Sequence, residues 1–308
     1  MTGHTHDNGH DHGHHHAPAS FGAAFAIGIA LNTGFVAIEA IYGLLAHSMA
    51  LVADAGHNFG DVLGLAMAWA AAILGRRAPS ATYTYGLRRG TILAALANAV
   101  LLLVTVGAIA VEAIRRLVEP APVASVTIMA VAAIGILVNG ITAWLFASGR
   151  KGDLNLRAAF THMAADALVS LGVVAAGAVI LWTGWFPLDP LASLVIAGII
   201  LVGTWSLLRD SLALSLDSVP AGIEPAAVRA FLEAQPGVLH IHDLHVWPMS
   251  TTETALTCHL VMPGGHPGDH ALAGLADALH HRFDIDHTTV QVETDVSVAC
   301  RLAPAHVV

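Results

Sequence analysis

Two pentads carry the residues best suited to chemistry: His57-Asn58-Phe59-Gly60-Asp61 and His162-Met163-Ala164-Ala165-Asp166, each inside an apolar run. Each puts an imidazole and a carboxylate at i and i+4, so on a helix the two side chains share one face, a turn apart. Two such helices facing each other offer two nitrogens and two carboxylate oxygens around one point. That is a tetrahedral ligand set suited to zinc, and it also accepts Cd²⁺, Co²⁺ or Ni²⁺, because ligand type alone separates these ions poorly.

The depths of the two pentads agree with a shared site. If the first helix enters the membrane at Ser48 and the second from the opposite side at Leu156, a rise of ~1.5 Å per residue puts His57 and Asp61 roughly 14 and 20 Å in. His162 and Asp166 fall about 9 and 15 Å from the other side. In a hydrocarbon core about 30 Å thick, His57 is then level with Asp166 and Asp61 with His162, so imidazole and carboxylate alternate. Carboxylates at that depth cost a few kcal/mol each on insertion scales. The bland alternative is a set of interhelical hydrogen bonds, but two matched pentads in opposed segments favour metal ligation.

The elements that position these residues follow from composition. Of 308 residues 56% are apolar and 11% charged, far below the roughly 25% charged of soluble domains, which makes this a membrane protein. Six segments meet the ~20-residue criterion for a spanning helix: 21–46, 48–74, 91–114, 123–147, 156–182 and 188–214. Arg76, Arg77, Arg88, Arg89, Arg150, Lys151, Arg157 and Arg209 fall on one side and only Arg115 and Arg116 on the other. The positive-inside rule makes the first side cytoplasmic, with both termini inside. No signal peptide is expected, since the first basic residue is Arg76.

Asn32, Glu39, Asn98, Glu112 and Asn139 also lie within the spans and read as interhelical hydrogen bonds or interface residues. Asp54 is different. Three residues before His57, on the same face and nearer the outer surface, it is placed to relay a cation or a proton outward, or to hold water at the site.

Residues 1–19 hold seven of the twenty histidines, with Asp and Gly between them and no apolar run. Irregular spacing distinguishes this from an expression tag, and the composition reads as a disordered, metal-gathering cytoplasmic tail.

From Asp217 the pattern changes to short elements: a helix at 225–235, strands at 238–248 and 254–262, a helix at 269–283 and a last strand at 288–295. This predicts a small α+β domain of α-β-β-α-β order with an open-faced sheet, ferredoxin-like or metallochaperone-like. The chain thus divides into the tail at 1–19, an all-α six-helix transmembrane domain at 20–216, and a cytoplasmic domain with candidate metal ligands at 217–308. Strict alternation along the first strand puts His240 and His242 on one face and Asp243 and His245 on the other. His259 on the second strand, Glu293 on the third and His287 just before it complete a candidate second zinc site. The plainer alternative is surface or core histidines. Beyond Leu216 eleven Asp or Glu residues stand against Arg229, Arg282 and Arg301, which argues against nucleic acid and for cations as partners. Cys258 and Cys300 make no disulfide framework.

Six spans, paired His-x-x-x-Asp pentads in the second and fifth, the stretches Ser48-Met-Ala-Leu-Val-Ala-Asp54-Ala-Gly-His57, Tyr83-Thr-Tyr-Gly86-Leu-Arg-Arg89, Asp189-Pro190 and Ile241-His242-Asp243-Leu244-His245-Val246-Trp247, and the His-rich tail resemble the cation diffusion facilitator family, in its zinc, cadmium and cobalt efflux branch. The resemblance implies a homodimeric Zn²⁺/H⁺ antiporter in the lipid bilayer, not an enzyme. It implies that His57, Asp61, His162 and Asp166 bind the transported ion and that His242, His259 and Glu293, with His287 as an addition, hold regulatory metal. Three departures stand out. Arg89-Gly90-Thr91 replaces a common Arg-x-Glu, so any charge pairing that acid made is absent. The loop at 148–155 has no histidines. Cys300 stands alone where some relatives carry two cysteines, which weakens a thiolate-containing site. Two rivals are a membrane-anchored metal sensor, which would not need the pentads, and an intramembrane metallohydrolase, for which the chain lacks a His-Glu-x-x-His motif.

Overall fold

Long apolar stretches separated by short polar connections set the first two thirds of the chain. The computed structural model describes residues 23–147, 154–298 and 300–303. The His-rich stretch at 1–19 and most of the connection at 148–155 lie outside the described residues. Six helices run in order: α1 Ala23–Leu45, α2 Met49–Gly75, α3 Gly90–Val118, α4 Ser125–Ala147, α5 Leu154–Thr183 and α6 Leu188–Ser215. Among the described residues four segments are long and apolar enough to cross a membrane: Gly90–Val118, Ser125–Leu145, Phe160–Thr183 and Leu188–Ser215. Ala30–Leu45 within α1 forms a shorter apolar helix. α2 is 27 residues long and is the helix that carries Asp54, His57 and Asp61.

α2 packs against α1, α3 and α6 and touches α5, while α4 lies between α1 and α5. Close approach needs small residues. A Cβ on Gly60 would meet Leu102 Cδ2 on α3 at 2.1 Å, and one on Gly135 of α4 would meet the Phe35 ring at 2.7 Å and Ser170 Oγ at 3.0 Å.

The start of α2 is fixed by a residue from α6. A helix N-terminus leaves backbone N–H groups without intrahelical acceptors, and Asp189 supplies them. Its Oδ2 accepts from Met49 N at 2.6 Å and its Oδ1 accepts from Ala50 N at 3.4 Å and from the Ser48 hydroxyl. Ser48 Oγ in turn accepts from Leu51 N at 3.3 Å. Both side chains are buried, and a carboxylate at this end also opposes the helix dipole.

Beyond Asp217 the order is α7 Pro225–Glu233, β1 His240–Pro248, β2 Thr254–Val261, α8 Asp269–Phe283 and β3 His287–Glu293. β2 is central, antiparallel to β1 and parallel to β3, with α8 as the crossover that a parallel pair requires. Val228 and Leu232 of α7, Leu275 and Leu279 of α8, and Leu256, Cys258 and Leu260 of β2 form one apolar core. Alternation sends Thr257 and His259 to the opposite face.

Strict alternation fails in β1. His242 pairs with His259 but His245 pairs with Thr257, so Asp243 and Leu244 together oppose one residue of β2. This is a β-bulge, with Asp243 at φ 51°, a left-handed conformation that Asp adopts more readily than most residues. The extra residue resets the alternation, so His245 falls on the face of His242 rather than opposite it.

The connection between α2 and α3 grips this small domain. Arg88 pairs with Glu253 at 2.6 Å, Arg89 pairs with Asp217, Thr251 N donates to Thr91 Oγ1 at 3.1 Å, and the Tyr85 ring meets His287 edge-on at 5.6 Å. The missing acid of the Arg-x-Glu pattern therefore leaves Arg89 paired with Asp217, and Thr91 anchors the turn after β1. The C-terminal end of α2 lies at the end of the bundle that carries this domain, and Asp54 lies toward the remote end.

Candidate metal centre

α2 and α5 bring His57, Asp61, His162 and Asp166 around one point. His57 Nε2 is 3.5 Å from Asp61 Oδ2 and 3.7 Å from Asp166 Oδ1. His162 Nε2 is 3.1 Å from Asp61 Oδ2 and 3.6 Å from Asp166 Oδ2. The two rings stand nearly perpendicular, their centroids 5.9 Å apart. Each imidazole thus sits between two carboxylates, the alternation that antiparallel crossing gives.

The electrostatics suit a cation. Asp61 Oδ2 and Asp166 Oδ2 are buried without a properly aligned hydrogen-bond donor, a costly condition for acceptors in a low-dielectric interior unless a positive charge joins them. Access is graded: the side chains of His162 and Asp61 are 42% and 30% exposed, those of His57 and Asp166 22% and 4%. Exposure rises toward the end that carries the small domain. Asp54, read from sequence as a relay, is buried and accepts from Ser170 Oγ at 3.3 Å. Glu39 is buried as well and accepts from Asn58 Nδ2 at 3.3 Å, which brings it beside Asp54, one turn before Asn58 on α2, a proximity that sequence spacing between two different helices does not reveal.

A second cluster lies on the open face of the small sheet. Glu293 Oε2 is 3.1 Å from His242 Nε2 and Glu293 Oε1 is 2.9 Å from His259 Nδ1. Cys300 Sγ lies 3.6 Å from His259 Nδ1, and one donor atom from each of the four residues falls within 4.8 Å of the others. The bulge adds Asp243, whose Oδ2 is 3.4 Å from His259 Nε2 and whose Oδ1 is 2.9 Å from His245 Nε2. Burial raises the Glu293 carboxyl pKa, but hydrogen bonds with His242, Cys300 and His259 outweigh it and hold the group below the ordinary carboxylate value. Two nitrogens, a thiol and a carboxylate match the donor set of a zinc site, and His242 Nδ1 is buried without a partner.

His287 stands apart from this cluster. It opens β3 beside Ala255, six residues or roughly 20 Å of strand from Glu293, with its ring against Tyr85. Cys300 and Asp243 are the residues that sequence reasoning undervalued. The lone cysteine gives no spacing to read, and the bulge is invisible to a period of two.

The two cysteines divide cleanly. Cys258 is buried in the apolar core, which pushes its thiol up to about 12, whereas Cys300 is half-buried beside His259. A maleimide at neutral pH is expected to label Cys300 and not Cys258, because the thiolate is the nucleophile. Zn²⁺ should slow that labelling at least roughly tenfold, as mass spectrometry would record; equal labelling with and without Zn²⁺ would remove Cys300 from the metal set.

Residues 25–214 match the family model described as the cation efflux transmembrane domain, and residues 220–295 match the one described as the cation efflux protein cytoplasmic domain. Zinc transporter ZitB of Shigella flexneri is 36% identical over 271 residues, covering 87% of this chain and 86% of the relative. The cadmium, cobalt and zinc/H(+)-K(+) antiporter of Bacillus subtilis (strain 168) is 33% identical over 298 residues, 95% of this chain and 92% of the relative. Metal cation efflux system protein CzcD of Cupriavidus metallidurans is 35% identical over 292 residues, 94% and 90%.

Proposed function

From a chain that belongs to the cation efflux family, known also as the cation diffusion facilitators, we propose a transporter that exports Zn²⁺, with Cd²⁺, Co²⁺ or Ni²⁺ as alternative cargo, in exchange for protons. The observation that carries this proposal is the convergence of His57, Asp61, His162 and Asp166 between two imidazoles and two acids. Relatives named as a zinc transporter, a cadmium, cobalt and zinc antiporter and a metal cation efflux protein support the cargo class.

All six helices are taken as spans, with both termini cytoplasmic as the arginine distribution requires. The rising exposure toward the small domain makes the described state the one that accepts metal from the cytoplasm. Rocking of the helices then turns the tetrad outward. Ligand imidazoles must be neutral and carboxylates ionised, so protons compete for the same atoms as the metal. At low external pH the imidazoles charge and the carboxylates lose negative charge, so release is favoured on the acidic side. His242, His259, Glu293 and Cys300 hold a regulatory ion in a ferredoxin-like domain that pairs two copies into a homodimer, where bound cations offset repulsion between acidic surfaces.

The test is zinc flux into proteoliposomes of purified protein. A gradient acidic on the release side should raise the initial rate several-fold, and its reversal should reverse net movement. Flux indifferent to the gradient would eliminate exchange. The sensor alternative gains no support from the relatives and leaves the tetrad without a purpose.

A further inference from the structure

Glu39 of α1 and Asp54 of α2 form a contact that metal ligation does not use. They are 0% and 1% exposed, and Asn58, one turn after Asp54 on α2, donates to Glu39 Oε2, which brings the two carboxyl groups side by side. A carboxylate has no donor, so two such groups can hydrogen-bond to each other only with a proton on one of them. Two ionised carboxylates in contact in a membrane interior would repel strongly, which enforces the same conclusion. Among the described residues the charged groups that face the pair are Asp166 on α5, for both members, and His57 on α2, for Asp54.

The pair is also connected. Asn58, next to His57, donates to Glu39 Oε2, and Ser170, one turn beyond Asp166 on α5, donates to Asp54 Oδ2. Glu39 Oε1 and Asp54 Oδ1 remain buried with no hydrogen-bond partner, which leaves acceptor positions for a proton. Asp54 precedes His57 by three residues on a helix whose C-terminal end lies toward the small domain. The pair is therefore on the remote side of the tetrad, between it and the bundle end from which protons arrive.

We propose that Glu39 and Asp54 are a proton-binding site, a carboxyl pair sharing one proton, that feeds the metal tetrad from the side on which the ion is released. The proposal rests on the transport function above and adds the route of the counter-ion. As the cation leaves, the O–H bond of the pair breaks and an N–H or O–H bond forms on His57 or Asp166. The pair, left as two carboxylates, takes a replacement proton from the far side. One proton enters for each one passed on.

Infrared difference spectroscopy on the full chain in nanodiscs reads the proton directly. The wild type should show the carbonyl stretch of a protonated carboxyl at neutral pH, and both Glu39→Gln and Asp54→Asn should lack it. Both amides should bind Zn²⁺ within about twofold of wild type while pH-driven zinc flux falls by roughly tenfold or more, the scale on which proton-transfer groups act; zinc–zinc isotope exchange without a pH gradient should persist. Zn²⁺ binding certifies folding, and if one variant fails it the other decides. A protonated-carboxyl band surviving in the folded variant, or its pH-driven flux equal to wild type, overturns the proposal. Failure of transport itself is distinguishable, because a wild type that carries no Zn²⁺ leaves the infrared test intact.

Discussion

Asp61→Ala protein in liposomes is expected to carry Zn²⁺ no faster than the protein-free background. Asp61 Oδ2 is the oxygen nearest both imidazoles, at 3.1 Å from His162 and 3.5 Å from His57. Its removal leaves two nitrogens and one acid for an ion that takes four ligands. Changes to groups that only support a metal ligand already cost about 10–100-fold in affinity or activity, so loss of a ligand costs more. His162→Ala should behave alike. The measurement is the initial rate of a zinc-sensitive dye trapped inside the vesicles, with circular dichroism to confirm that the helices remain. A wild-type rate in Asp61→Ala would remove the tetrad from the transport path.

Asp189→Ala should be the most damaging change outside the tetrad. The substitution strips acceptors from Met49 N, Ala50 N and the Ser48 hydroxyl at once, where all four residues are buried. Hydrogen bonds to a charged group are worth about 1.5–3 kcal/mol each, and donors left buried without partners cost as much again. A loss of about 3 kcal/mol or more is the expected outcome. Ser48→Ala, which removes the hydroxyl but leaves Asp189 on Met49 N, should lose about 1 kcal/mol. Thermal unfolding in detergent, followed by intrinsic fluorescence, ranks the two. Because α2 positions His57 and Asp61 from this end, transport should fall in the same order. Equal stability of Asp189→Ala and wild type would show that α2 needs no cap from α6.

How far the sequence reaches can be judged from particular residues. Long apolar runs fix helix positions to within a few residues, and the His-x-x-x-Asp spacing carries the tetrad because a helical face is a local property. Antiparallel crossing then sets which imidazole meets which acid. Contacts between helices have no such local signature. The capping of α2 by Asp189, 140 positions on, and the pairing of Glu39 with Asp54 depend on how three helices pack. In the small domain the element order follows from periodicity, yet the bulge at Asp243 shifts His245 to the other face, and Cys300 arrives through a turn after β3. His287 illustrates the converse: near Glu293 in sequence, it is carried to the opposite end of the strand.

Transport as proposed needs one divalent cation held by two imidazoles and two acids from α2 and α5. Zinc-edge X-ray absorption on protein that carries His242→Ala and His259→Ala and lacks residues 1–19, so that neither the sheet cluster nor the His-rich tail competes for the metal, is the decisive measurement. One tightly bound Zn²⁺ is expected, with four nitrogen or oxygen neighbours at about 2.0–2.2 Å and imidazole scattering, lost on adding Asp61→Ala. A six-oxygen hydrated shell, or a spectrum that Asp61→Ala leaves unchanged, would contradict it.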